Sequence, residues 1–206
     1  SIAGGFIGKE EDADDAAKRV LWQRTGLENI YLQQFHTFGD LKRNIGAIEK
    51  HEEINLAMGR SNEDLKWLSL RYISIGYYAL VDYSKVLVTT NDISDESAWM
   101  EVDQIPALFL DHNEIIKTGL AHLRSSIDTK LAAFNLLPET FTMSELQKVY
   151  ETILGKELVR TNFQRKMLSL DILERIEKKY TGGAHKAPYL YRLDRKKAEA
   201  FLSSAS

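Results

Sequence analysis

The chain has 206 residues, 44% hydrophobic and 28% charged, with a formal net charge of −3 and no cysteine. That length holds one sizeable domain and a small one, in a composition ordinary for a globular protein. Lack of cysteine excludes disulfides, thiolate catalysis and cysteine-ligated zinc, and a cytoplasmic, reducing setting is expected. No apolar run approaches the ~20 residues that cross a bilayer, and no basic-then-apolar leader opens the chain.

The opening, Ser1-Ile2-Ala3-Gly4-Gly5, reads as the end of a strand, so residues upstream are expected. A helix follows from Asp14 to Arg24, with Ala13, Ala16, Ala17, Val20 and Leu21 as its apolar face and Gly26 as its stop. The acids before it, Glu10, Glu11, Asp12, Asp14 and Asp15, solvate the helix start and favour its dipole. β-formers predict a strand over Leu27–Phe38, then a polar, helix-compatible insertion over residues 39–70. Arg71–Val81 is apolar and aromatic on both faces, which predicts a central, buried strand. After a polar loop at Asn91–Glu96, Trp99–Val102 reads as a short strand, and Trp22 and Trp99 as packing residues.

Ile115, Ile116, Leu120, Leu123 and Ile127 mark an amphipathic helix beginning at His112. His112 is expected at a helix start or as a buried polar residue. The histidines have no metal-ligand spacing, and no Ser-His-Asp arrangement emerges. Pro138 closes this part and marks a boundary between residues 1–137 and 138–206.

Phe141–Leu193 has its own logic. Thr142 and Glu145 have capping-box spacing, and Leu146, Val149, Tyr150, Ile153 and Leu154 form one stripe before Gly155. A second helix is predicted from Thr161, with Thr161 and Gln164 as a repeat capping box. Phe163, Met167 and Leu170 face inward on it. Two β-rich runs, Ile172–Tyr180 and Tyr189–Leu193, flank the turn residues Thr181-Gly182-Gly183-Ala184. Helix, turn, helix, hairpin is the order of a winged helix-turn-helix.

Charge agrees with a role on DNA. Residues 141–206 carry 13 Lys+Arg against 8 Asp+Glu, while residues 1–140 carry 14 against 22. A locally basic surface is the minimum requirement for neutralising a phosphate backbone. Arg160, Asn162, Gln164, Arg165 and Lys166 are the candidate contacts on the second helix. Arg165 and Gln164 suit base edges, because Arg pairs with guanine and Gln or Asn with adenine. Lys166, Lys178, Lys179 and Lys186 suit phosphates, which position without specifying. Each also reads as an ordinary solvated side chain.

Gly5, Glu11, Arg19, Gly26 and Leu27 have the spacing of the Nudix box, and the chain resembles a Nudix domain there. Active members continue after the arginine with Glu, an aliphatic, any residue, then Glu-Glu. This chain has Val20, Leu21, Trp22, Gln23 and Arg24. Magnesium needs hard carboxylate oxygens, so the substitutions predict no metal site, no catalytic residue and no cofactor. Ile105-Pro106-Ala107-Leu108 resembles the segment that opens the last helical region of such domains.

With Asp111-His112, the run Leu137–Glu151 and the run Arg160–Lys166, the resemblance becomes specific. The chain is similar to the Nudix-related transcriptional regulators over nearly its whole length, outside the 39–70 insertion. The resemblance implies an α+β chain. A Nudix-like α/β/α sandwich with a mixed sheet, lacking its first strands, precedes a winged helix-turn-helix. It also implies a homodimer on a palindromic DNA operator and a small-molecule effector: ADP-ribose, a related nucleotide or a sugar. Gly5, Arg19, Gln23 and Arg71 are then ligand-binding candidates in the cleft between the Nudix helix and sheet. Arg19 reads more readily as holding the box loop through backbone carbonyls. The competing readings are an active Nudix hydrolase of nucleoside diphosphate derivatives with an appended winged helix, and a protein-interaction scaffold.

Overall fold

The computed structural model describes residues 2–28, 30, 32–41, 43, 72–81, 98–108, 110–178 and 187–204. The chain divides into two compact units, residues 1–122 and 123–206.

In the first unit, α1 (Ala13–Thr25) starts at Asp12, whose carboxylate accepts the Asp15 N–H at 2.9 Å. It stops at Gly26, which takes φ +67° and returns its N–H to the Trp22 carbonyl at 2.8 Å. The strands β1 (Leu32–Phe38) and β2 (Ser74–Ala79) pair antiparallel, from Leu32 opposite Ala79 to Phe38 opposite Ser74. The register shifts between Gln34 and His36, so Phe35 is the bulged residue. Its ring needs room on two sides. A Cβ on Gly76 would lie 2.6 Å from the Phe35 ring, and one on Gly119 3.1 Å from it. Two glycines therefore make the space for one phenylalanine.

Helix α2 (His112–Ser126) buries Ile115 and Leu123, with Ile127 just beyond its end, and the unit boundary falls within it. His112 is its first residue, and its Nδ1 accepts the Ile2 N–H at 3.3 Å. Burial lowers the His112 pKa. The start of α2 is tied down by Arg43. Its guanidinium grips Asp111 at 2.7 and 3.1 Å and donates to the carbonyls of Phe38 and Tyr72. Arg43 thereby joins the end of β1, the approach to β2 and the head of α2.

The second unit begins with a 3-10 turn, Ala132–Leu136, which buries Ala132, Ala133 and Phe134. Then come β3 (Phe141–Thr142), α3 (Met143–Leu154), α4 (Arg160–Ser169), β4 (Leu173–Lys178), β5 (Tyr189–Leu193) and α5 (Arg195–Ser204). The sheet order is β3-β5-β4, antiparallel throughout. The expected capping box is present at α3. The Glu145 N–H donates to the Thr142 hydroxyl, and the Thr142 N–H donates to the Glu145 carboxylate. Leu146, Tyr150 and Ile153 are buried on α3, facing a core that includes Phe141, Met167 and Ile172. Burying each such side chain fully contributes roughly 1.5–3 kcal/mol.

Several expectations are corrected. Residues 98–101 form no strand, and a 3-10 turn follows at Val102–Gln104. The first strand begins at Leu32, not Leu27. Among the described residues β2 pairs with β1 alone, and Gly76 is its one buried position, the others being half-buried. Among the described residues, the strands of the first unit form one antiparallel pair. Trp22 and Trp99 are 52% and 53% exposed rather than packed away. Helix α4 starts at Val159 with no side-chain cap, so Thr161 and Gln164 form no capping box. Composition gave no sign of α5, whose apolar residues are few. The bulk of the 39–70 insertion, the Asn91–Glu96 loop and the Thr181–Ala184 turn lie outside the described residues.

Candidate functional site

Helix α4 is set by the turn that precedes it. Glu151 on α3 accepts the Leu158 N–H at 2.9 Å and the Gln147 amide at 2.9 Å, while Gln147 donates to the Leu158 carbonyl. Three bonds thus fix the loop between the helices. The depressed pKa of Glu151, caused first by Gln147 and then by the Leu158 N–H, keeps it ionised for that task. From there Phe163 (5% exposed) and Met167 (0%) anchor α4 in the core. Arg160, Asn162, Arg165 and Lys166 are then exposed, and Gln164 is half-buried.

The exposed groups are organised. Arg165 Nη2 donates to Asn162 Oδ1 at 3.2 Å, one helical turn back. Lys166 Nζ lies 2.5 Å from Asp128 Oδ2, a partner that periodicity could not reveal. Because Val159 offers no side-chain acceptor, the first N–H groups of α4 carry no side-chain cap. A positive helix end next to Arg160 suits an anion.

On the hairpin, Tyr189 carries two cations. Arg175 sits 4.5 Å from its ring centroid and Lys178 5.5 Å. Sequence reasoning passed over Arg175. Its signal was present in the alternation of β4, where it stands opposite Tyr191. Lys179 and Lys186 lie outside the described residues.

In the first unit, Gly5, Arg19 and Gln23 come together along one side of α1. A Cβ on Gly5 would lie 2.6 Å from Val20 Cγ2, so glycine is what lets the segment pass the helix. Arg19 donates from Nε to Glu11 Oε2 at 3.0 Å and from Nη2 to the Phe6 carbonyl at 2.8 Å. Its Nη1 reaches Gln23 Oε1 at 3.5 Å. This is a loop-holding arrangement, and Gly8 adds its N–H to Glu11 Oε1. The Arg19 bond, then the Gly8 N–H, holds the Glu11 carboxyl well below its usual range, at about 2. Arg71 lies outside the described residues.

The acids around α1 are engaged within the fold. Glu11 is committed to Arg19, Asp12 caps α1, and Asp15 pairs with Lys18 at 2.8 Å. Asp14 accepts the Tyr77 hydroxyl at 2.6 Å, which ties the first turn of α1 to β2. Burial first, and Asp14 second, push the Tyr77 pKa up to about 12. Among the described residues no group of three or more His, Cys, Asp or Glu is placed to hold a metal ion. An open groove of about 340 Å³ lies in the second unit, lined by Leu170, Asp171, Lys197 and Phe201. It touches none of the candidate ligand residues.

Comparisons with known proteins divide along the same lines. Residues 133–193 match the family model of the NrtR DNA-binding winged helix domain. Over 196 residues the chain is 27% identical to the ADPR responsive transcriptional repressor NtrR of Acinetobacter baylyi, covering 93% of this chain and 68% of that protein. The crystal structure of Shewanella oneidensis NrtR superposes with a TM-score of 0.64 at 26% identity, covering 95% of this chain and 80% of that one. The same protein complexed with a 27mer DNA gives 0.63 at 26% identity, covering 96% and 80%. A MutT/nudix family protein from Enterococcus faecalis gives 0.60 at 17% identity, covering 93% and 73%, which is a likeness of fold alone.

Proposed function

We propose that this chain is a Nudix-related regulator with a C-terminal winged helix like that of NrtR, and that it binds operator DNA through α4 and the hairpin, a reading supported by the match over residues 133–193 and the likeness to NrtR. The carrying observation is the division of α4. Phe163 and Met167 are buried, while Arg160, Asn162, Arg165 and Lys166 stand exposed behind a helix end with no side-chain cap. A helix anchored on one side and basic-polar on the other is what a major groove accepts. Arg165, aligned by Asn162, and Gln164 read base edges. Lys166, Lys178, Lys179 and Lys186 meet phosphates, as does Arg175 from its place over Tyr189. Residues 138–206 are the reading domain, working as a homodimer on a palindromic site.

Residues 1–137 are the sensing domain. Its ligand is ADP-ribose or a closely related nucleotide or sugar, supported by the likeness to a repressor described as ADPR responsive. Gly5, Arg19, Gln23 and Arg71 are the candidate contacts, with Arg19 chiefly holding the loop. The domain binds this ligand without cleaving it, since Val20, Gln23 and Arg24 stand where the acids of active members would hold magnesium. The test is a gel shift with duplex DNA from upstream of the chain's own gene, across a salt series. Salt-sensitive retention of that duplex supports the reading. Equal retention at low and high salt, or none, refutes it.

A further inference from the structure

Lys166 is not simply an exposed cation. Asp128, in the turn just after α2, places Oδ2 2.5 Å from its ammonium. The other oxygen, Oδ1, is buried, and so is the Tyr150 hydroxyl on α3. The two groups are neighbours: the Asp128 carboxylate, after burial, raises the Tyr150 pKa. Packing against Tyr150 does not by itself call for a charge at this position. An asparagine would fill the same space and could pair with Tyr150 without bringing in a charge. What the charge alone adds is a hold on Lys166.

We propose that Asp128 masks Lys166, standing in for a DNA phosphate on the free protein and so weakening its grip on DNA. This rests on the DNA-binding reading above. A lysine already neutralised by an internal carboxylate must give up that pair before it can neutralise a phosphate and release the DNA's condensed counterion, so it gains little on binding. Removing the mask frees one further cation for the backbone.

The test measures anisotropy of a labelled mixed-sequence duplex of about 30 base pairs, between about 50 and about 200 mM salt. Asp128→Asn should bind about threefold tighter at the low salt and steepen the log–log salt slope by about 0.9, one added phosphate contact. Asp128→Ser should do the same, which guards against a folding defect particular to one variant. In a Lys166→Gln background the added slope should vanish, as coupling between the two residues requires. Wild-type binding with an unchanged or shallower slope in both Asp128 variants overturns the mask alone. No salt-dependent binding by the wild-type chain overturns the DNA reading, and the mask with it.

Discussion

Arg165 and Glu11 show how differently single residues carry the account. Arg165 is exposed and bonded only to Asn162, so its loss costs the fold little. Arg165→Ala should weaken operator binding by about 1–3 kcal/mol and relax specificity at one base position, with an unchanged melting curve. Unaltered affinity and specificity in a competition assay would remove Arg165 from the reading surface. Glu11 works within the fold. Its folded pKa of about 2 lies below the unfolded value near 4.5, so the unfolded chain binds the proton first as pH falls. The stability it contributes is fully present above about 4.5 and lost as pH drops toward 2. Glu11→Gln should flatten that part of the stability–pH curve, measured by urea melts, and an unchanged curve would show the Arg19 contact to be idle. Arg43 is a third kind. It was hidden in the polar insertion, yet only 8% of its side chain is exposed and its partner Asp111 is 18% exposed. Arg43→Ala leaves a carboxylate stranded and should cost about 3–5 kcal/mol.

At the level of elements, α3 is legible in the sequence because both ends are written locally. Thr142 and Glu145 start it, Gly155 at φ +67° ends it, and the stripe between them is buried as its period requires. Thr142→Ala should lower stability by about 1 kcal/mol. A Gly155→Ala change adds strain at positive φ and brings a Cβ to 3.0 Å from Arg124 Nη2, so its melting temperature should fall further than a mid-helix glycine change would explain. Equal melting of Gly155→Ala and wild type would show that the cap is not strained. Helix α4 is legible only in its interior. The Thr161–Gln164 spacing suggested a cap, but the loop is fixed by Glu151 and Gln147 on the preceding helix, a contact that spacing within α4 cannot disclose. The strand expected at Trp99–Val102 failed for a related reason: β-propensity needs a partner strand to act on, and the described residues supply none there. Helix α5 escaped because Arg195-Lys196-Lys197 looks like a solvated tail. It is held by the Asp194 carboxylate on the Lys197 N–H and by the burial of Ala198.

On the scale of the whole molecule, the two units carry opposite charge, and the proposed function gives them different work. The family likeness was readable from the box glycines, Arg19, Asp111-His112 and the run through Lys166, because these residues set turns, loops and helix starts rather than chemistry. The ligand is harder to read, because a binding site gathers residues from distant parts of a chain, which spacing does not report. The central claim is that one part listens and another grips DNA, so the two bindings must be linked. The most direct test titrates operator duplex from upstream of the chain's own gene by anisotropy, with and without ADP-ribose and magnesium, then recovers the ADP-ribose by chromatography. The account predicts a shift in Kd of about fivefold or more in either direction, with the ligand recovered intact. An unchanged Kd, or ADP-ribose converted to AMP and ribose phosphate, would contradict it.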